Sequence, residues 1–549
     1  MRRALAEVKL GAVAGRGAMF WIAMLAILAA AMALRLPRMT HSFWGDEDWA
    51  HLDYHQGKYE VKADGSLKFE RAPWKQTLWR DRLYQQPPIR FSVLARESLD
   101  LWQRATGATE HAFSESPVRL APLAAGIGSL IAGALLLHRL GYPWAALLWA
   151  LFMAFHPWHV RYSVEGRGYS MLAFFLLLAA WFGIRALETG RWRHWLGFGA
   201  MQFFAMWTWK AAVHPLVWMN LALAAGAWIT RPLWADRAAQ WKRQVFTGLL
   251  WALPFLPLIL PTLPQIQHYL ANSTMMKRPM GAEWLAHEWV GIASGLQWQE
   301  HEPGSPFHTA QEIPLPLLVL VDAGIAAALI AGLISLVRRR KSAAALVLAL
   351  PILGGLTLYA HFLLSGLIVL HWYVFFAVPF AFALAAAGLE AVCSAARRSR
   401  RVMAMPLAAA VAIAFLWNAL PQDRALMQLP SEGLREAAEL TRGQHEARDY
   451  LGPSKVRTVA LWRGSPLYDP RVDFHVRDAE ALKAAMRAAA ADQAPLGVIV
   501  GNIGFAEAND QDFLKLVRDR RYFHPLKTLY GTERDYTLYV FQFTGRLPE

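Results

Sequence analysis

Three acids stand in a row at Asp46, Glu47 and Asp48, inside the run Ser42-Phe43-Trp44-Gly45-Asp46-Glu47-Asp48-Trp49. Carboxylates set between tryptophans are partly desolvated, and desolvation raises a carboxyl pKa and favours base behaviour. A second cluster runs His156-Pro-Trp-His159-Val-Arg161-Tyr-Ser163-Val-Glu165-Gly-Arg167-Gly-Tyr169. Arginine's planar fork suits a phosphate, and ionisable groups at a membrane helix end are costly and usually functional. Arg35, Arg38, Lys210, His214, His361 and His371 lie at the ends of apolar runs. Together they give positive density suited to a phosphorylated lipid head group. His51 and His55, spaced i, i+4 behind Asp48, form a weak metal set, because no third spaced ligand accompanies them. Each feature also has a plain structural reading: an acidic helix cap, an Arg–Glu pair, snorkelling cations, a His-rich loop.

The elements that must position these residues are membrane helices. Of 549 residues 55% are hydrophobic, 25 are Trp and one is Cys, at position 393. Disorder and a disulfide scaffold are thereby excluded. A span needs roughly 20 apolar residues, and eleven segments qualify: 18–34, 118–138, 143–156, 168–186, 195–210, 214–230, 245–263, 314–337, 343–360, 371–392 and 402–420. Segment 143–156 is short, and is accepted because Trp144, Trp149 and Trp158 mark its ends. Lys and Arg crowd one alternate set of short connections (1–17, 139–142, 187–194 with Arg185 at the helix end, 231–243, 338–342 and 393–401), opposed there only by Glu7, Glu188 and Asp236. The positive-inside rule puts that set in the cytoplasm, the N-terminus inside and the C-terminus outside. Segment 18–34 has a basic start and Ala-Met-Ala at 31–33, like a cleaved leader. Leu34-Arg35-Leu36-Pro37 is a poor mature start, so a retained span is expected.

The expected fold class is mostly α: a polytopic membrane bundle over 1–420 with outer loops 35–117 and 264–313, followed by an extracytoplasmic α/β domain over 421–549. In that tail, helical patterns (432–451, 479–491, 507–519) alternate with strand-like runs (456–462, 496–501, 537–543). Gln85-Gln86-Pro87-Pro88-Ile89 and the amphipathic stretch 91–102 suggest a helix lying on the bilayer. The net charge of +15 would suggest nucleic acid in a soluble chain. Here the excess is a topological signal, and no nucleic-acid partner is expected. There is no GxxxxGK[ST] and no HExxH, which disfavours an ATP-driven pump and an intramembrane zinc protease.

An Asp-Glu pair just after the first span and a Ser-x-Glu-x-Arg-x-Tyr turn after the third resemble the GT-C glycosyltransferases. Among them the nearest branch is the family 39-like one of protein O-mannosyltransferases and lipid A aminoarabinose transferases. The matching residues are Asp46-Glu47 and Ser163-Val-Glu165-Gly-Arg167-Gly-Tyr169. The family's late Arg-Tyr corresponds to His371-Trp-Tyr373 with Pro379, so the arginine is replaced. The resemblance covers roughly 18–400 and implies a polyprenyl-phosphate-linked sugar as donor. The acceptor would be a lipid, glycan or protein hydroxyl, and the site would face the periplasm from the cell inner membrane. It implies Asp46 as base in an inverting displacement, with Glu47 supporting it, orienting the acceptor or holding a metal. Arg167, with Lys210 or Arg161 and with His371, would bind the donor phosphate. Glu165 would orient Arg167, Tyr169 would lie beside it, and Ser163 belongs to the same turn. The cofactor stays undetermined, a divalent metal with His51, His55 and Asp48 being the candidate.

The rival function is a transporter or flippase of lipid-linked sugars, which should place ionisable residues near mid-membrane beside broken helices in repeats. A third is a membrane-anchored scaffold whose outer tail binds a partner.

Overall fold

A computed structural model describes residues 2–62, 64, 66–79, 89–231, 233–264, 267–268, 280–366, 369–399, 404–442 and 456–548. Gln85 to Pro88 and the continuation of the 432–451 pattern beyond 442 lie outside the described residues.

Each predicted apolar segment lies mainly on helix among the described residues, 371–392 becoming α-helical from Ala377. Helix α1 covers Arg2–Arg35, and α2, Gly45–Ala50, carries the acidic turn. After a hairpin of β1 (Gly57–Val61) and β2 (Leu67–Arg71) come α3 (Trp74–Trp79), α4 (Ile89–Thr106) and α5 (Glu115–Arg139). Next come α6 (Pro143–Phe155), α7 (Pro157–Tyr162), α8 (Tyr169–Thr189), α9 (Trp192–Thr208), α10 (Val213–Thr230) and α11 (Trp234–Ile259). Later helices are Glu283–Ser294, Leu315–Arg338, Ser342–Ala349, Gly354–Ser365, Ala377–Ser399 and Ala404–Gln428.

Among the described residues, 8 helical segments are long and apolar enough to cross a membrane. The other three predicted segments fall on α6, of 13 residues, α9, of 17, and α11, which begins with a charged turn and contains Pro254 and Pro257. An integral membrane protein is what these helices support. Their faces show why. On Leu315–Arg338 the buried residues are Leu318, Val321, Ile325, Ala328, Gly332 and Leu336, a stripe at spacings of three and four. Leu315, Val319, Ile330, Ile334 and Val337 are large, apolar and exposed on the same helix, as a lipid-facing surface requires.

The break between α6 and α7 shapes the second motif. Pro157 forces the preceding residue out of helical conformation, and His156 sits at φ −74°, ψ 117°. Proline then opens α7, where its missing N–H costs nothing.

The last long helix runs past residue 420 to Gln428. Beyond it, four strands form a mixed sheet in the order β3-β4-β6-β5: β3 (Arg457–Leu461), β4 (Leu496–Val500), β5 (Phe523–Leu529) and β6 (Leu538–Phe543). β3 and β4 are parallel, and the other neighbours are antiparallel. Ala479–Ala491 is a helix as expected, and the pattern at 507–519 resolves into two, Ile503–Asn509 and Gln511–Arg518.

Candidate active site

Glu47 closes the start of α2, its Oε2 accepting the Trp44 N–H at 3.2 Å. Its side chain is 1% exposed and is gripped by Arg119 of α5, Nε to Oε1 at 2.9 Å and Nη2 to Oε2 at 2.6 Å. The Gly166 amide also donates to Oε1. These donors occupy both oxygens of the carboxylate. Arg119 gives its remaining hydrogens to the carbonyls of Arg38, His41 and Ser42. Glu47 therefore ties the acidic turn to α5 and to the turn that carries the second motif.

Asp46 is the accessible acid. Its side chain is 41% exposed, and Oδ2 lies 3.1 Å from Arg167 Nη2. Arg167 is 11% exposed, also donates to the Asp46 carbonyl at 3.4 Å, and lies 6.0 Å from the Tyr169 ring centre. Asp46, Arg167 and Tyr169 are thus brought together as the two sequence motifs suggest.

The rest of the second motif is used inside the protein. Arg161 donates to Glu165 Oε1 at 2.6 Å and to Glu533 Oε1 at 3.1 Å. Glu165 was expected to orient Arg167. Its side chain pairs with Arg161 instead, because the two stand one turn apart, and it also accepts from Ser431 Oγ at 2.7 Å. Ser163 Oγ is tied to the His159 carbonyl and ring within its own turn. His371 Nε2 lies 3.5 Å from Glu533 Oε1 and beside Gln297. Arg161 and His371 thus gather around Glu533 rather than around Asp46. Lys210 opens a short turn after α9, half-buried, and its neighbour Trp209 lies 6.4 Å ring to ring from Tyr169.

The metal candidates lie apart from this pair. His51 and His55 occupy one π-type turn with ring centres 5.9 Å apart, and His51 Nε2 bonds Gln56 at 2.7 Å. Asp48 accepts from Ser465 Oγ, and burial raises its pKa to about 8. Among the described residues no three His, Cys, Asp or Glu side chains are gathered to hold a metal. Asp46 and Glu47 each face a guanidinium, so these acids as arranged do not fit a divalent ion.

Sequence reasoning missed five residues at or beside the site: Arg119, Glu432, Arg463, Glu533 and Tyr536. The last four come from the tail. Glu432 Oε2 accepts the Gly45 N–H at 2.7 Å, Oε1 lies 3.5 Å from Arg463 Nε, and burial raises the Glu432 pKa. The Tyr536 ring lies 5.4 Å from that of Trp44. Further stitches join the same surfaces: Ser42 Oγ to the Glu432 carbonyl at 2.7 Å, and Tyr468 OH to Glu115 Oε1 at 2.8 Å.

This architecture has solved counterparts. The chain is similar to ArnT from Cupriavidus metallidurans in the apo state, at 12% identity and a TM-score of 0.50 over 97% of this chain and 98% of that one. ArnT bound to undecaprenyl phosphate gives 13%, 0.46, 97% and 99%. The archaeal oligosaccharyltransferase AglB from Archaeoglobus fulgidus, in complex with an inhibitory peptide and a dolichol-phosphate, gives 13%, 0.47, 88% and 70%. No family model and no curated protein sequence matches the chain. At such identity the likeness is one of fold, here the fold of ArnT in the apo state.

Proposed function

We propose that the chain is an integral membrane glycosyltransferase that moves a sugar from a polyprenyl-phosphate donor to a hydroxyl acceptor. The acceptor is a lipid, glycan or protein hydroxyl. The reaction takes place on the periplasmic face of the cell inner membrane, with the N-terminus inside and the tail from residue 421 outside. One observation carries this reading: in a GT-C fold, a half-exposed carboxylate, Asp46, stands 3.1 Å from the guanidinium of Arg167. Transfer from a lipid phosphate needs that combination of base and cation.

Asp46 takes the acceptor's hydroxyl proton. The oxygen's electron pair forms the bond to the anomeric carbon while the bond from that carbon to the phosphate oxygen breaks on the opposite face, so configuration inverts. Asp46 loses one negative charge as the departing lipid phosphate gains one. Arg167 passes from the first to the second, and no charge is left unpaired at the moment of transfer. Lys210 adds positive charge on the same side, and Tyr169 lies beside Arg167. Glu47 holds the turn in place, and Arg161, Glu165, Ser163 and His371 shape the surrounding wall.

Arg167→Ala is expected to raise the KM for the lipid-linked donor at least tenfold. Arg191→Ala, on the opposite side of the bundle, should stay within twofold. Equal effects of the two substitutions, measured on purified protein with a polyprenyl-phosphate sugar, would remove the phosphate role. Lipid translocation in vesicles without any transfer would replace the enzyme with a transporter.

A further inference from the structure

The tail does more than rest on the bundle. Its parallel strands β3 and β4 end side by side at Leu461 and Val500, and loops beyond the carboxyl ends of parallel strands are where ligands bind in open α/β sheets. The loop after β3 is strained at that point. Trp462 has φ +66°, a left-handed conformation that a bulky residue avoids. Its indole Nε1 is held by Asp510 at 2.6 Å and its ring by Phe505, with centres 4.5 Å apart. The left-handed residue turns the chain immediately before Arg463.

Two glycines make room for Arg463. A Cβ at Gly501 would run into its stem, and a Cβ at Gly45 would run into its guanidinium Nη1. Gly45 is the residue before Asp46, so the guanidinium meets the acidic turn through Nη1. Its charge is strengthened by Glu432, Tyr536 and Asp46, although burial opposes it. The guanidinium stacks on Tyr536, 5.2 Å from the ring centre. Among the described residues its one ion pair is through Nε to Glu432, at 3.5 Å. That carboxylate already accepts the Gly45 N–H through its other oxygen. The side chain remains 23% exposed. By contrast, Arg119 donates to five acceptors and Arg161 has two carboxylate partners.

We propose that Arg463 of the tail binds the substrate's phosphate together with Arg167, so that the site is built from both the membrane bundle and the tail. A guanidinium stacked on a ring, with its ion pair at Nε, keeps Nη hydrogens that match a phosphate's oxygens. Both guanidiniums lie within reach of the Asp46 charge, Arg167 through its ion pair and Arg463 from the tail. This rests on the polyprenyl-phosphate reading above.

The test uses the full-length protein in detergent with undecaprenyl phosphate as the probe, binding being measured apart from transfer. Arg463→Gln should weaken lipid-phosphate binding at least tenfold, and Arg463→Lys should recover only part of it, because an ammonium lacks the fork. Gly45→Ala, which keeps the arginine but displaces its head, should weaken binding severalfold. Thermal unfolding of each variant within a few degrees of wild type keeps the comparison fair. If Arg463→Gln binds the lipid phosphate as wild type does, the inference fails while the transferase reading stands. If the wild-type protein neither binds the lipid phosphate nor transfers sugar, the transferase reading itself fails.

Discussion

Glu47 sits beside the proposed base and is a carboxylate, so it could be mistaken for a reacting group. The structure makes it an anchor, and Glu47→Gln separates the two roles. Glu47 and Arg119 have side chains 1% and 4% exposed and are bonded at two points. Neutralising one partner leaves the other as a buried unpaired charge, which costs about 3–5 kcal/mol. Glutamine keeps the shape and one acceptor oxygen, so the low end, about 3 kcal/mol, is expected. Much of it is released locally, as α2 lets go of Arg119 and of the 156–168 turn. A displacement of Asp46 by about 1 Å would slow transfer roughly 100-fold. Arg119→Gln breaks the same pair from the other side and should lose stability and activity to a similar degree. The double variant Glu47→Gln/Arg119→Gln should fall well short of additive. Steady-state transfer and thermal unfolding of the three proteins decide the matter. Full activity in Arg119→Gln beside an inactive Glu47→Gln would refute the anchor and make Glu47 a chemical participant.

Other consequences concern the remaining acids. The folded pKa of Asp48, about 8, lies above its ordinary 3.8, so the folded chain keeps a proton that the unfolded chain has lost. Stability attributable to this group falls as pH rises from 3.8 towards about 8, and stays low above it. Asp48→Asn keeps an acceptor for Ser465 and no charge, so unfolding temperature should fall less steeply between pH 5 and 8 than in wild type; identical slopes would contradict the buried-acid picture. Because guanidinium groups face Asp46 and Glu47, a chelator that strips divalent ions should leave transfer within twofold; abolition reversed by adding back a metal would show that the acids rearrange to hold one.

Much of the scaffold was legible because long apolar runs leave few alternatives to a helix. Among the described residues the eleven such runs lie mainly on helices, although the proline at position 157 ends α6 too soon for a full crossing and α11 starts in charge. Asp46 and Arg167 were legible as motif members. Their contact crosses 121 positions of sequence, and it is the topology after the first and third predicted spans that brings them together. The pairing of Glu165 was available from spacing alone, since Arg161 stands four residues before it on a helical turn. Arg119, Glu432 and Arg463 carried no signal: each is a single charge in an ordinary neighbourhood, and only folding brings it to the acidic turn. β5 escaped because Pro525 argues against a strand. It is tolerated there because β5 is an edge strand with a register shift between Pro525 and Lys527.

The role of Asp46 as base of a lipid-phosphate-dependent sugar transfer is tested most directly by single-turnover transfer from a polyprenyl-phosphate sugar, comparing wild type with Asp46→Asn. Loss of a positioned base costs about 100- to 10,000-fold. A loss in that range is expected in Asp46→Asn, with lipid-phosphate binding retained because Arg167 is released from its carboxylate partner. Transfer by Asp46→Asn at the wild-type rate would contradict it.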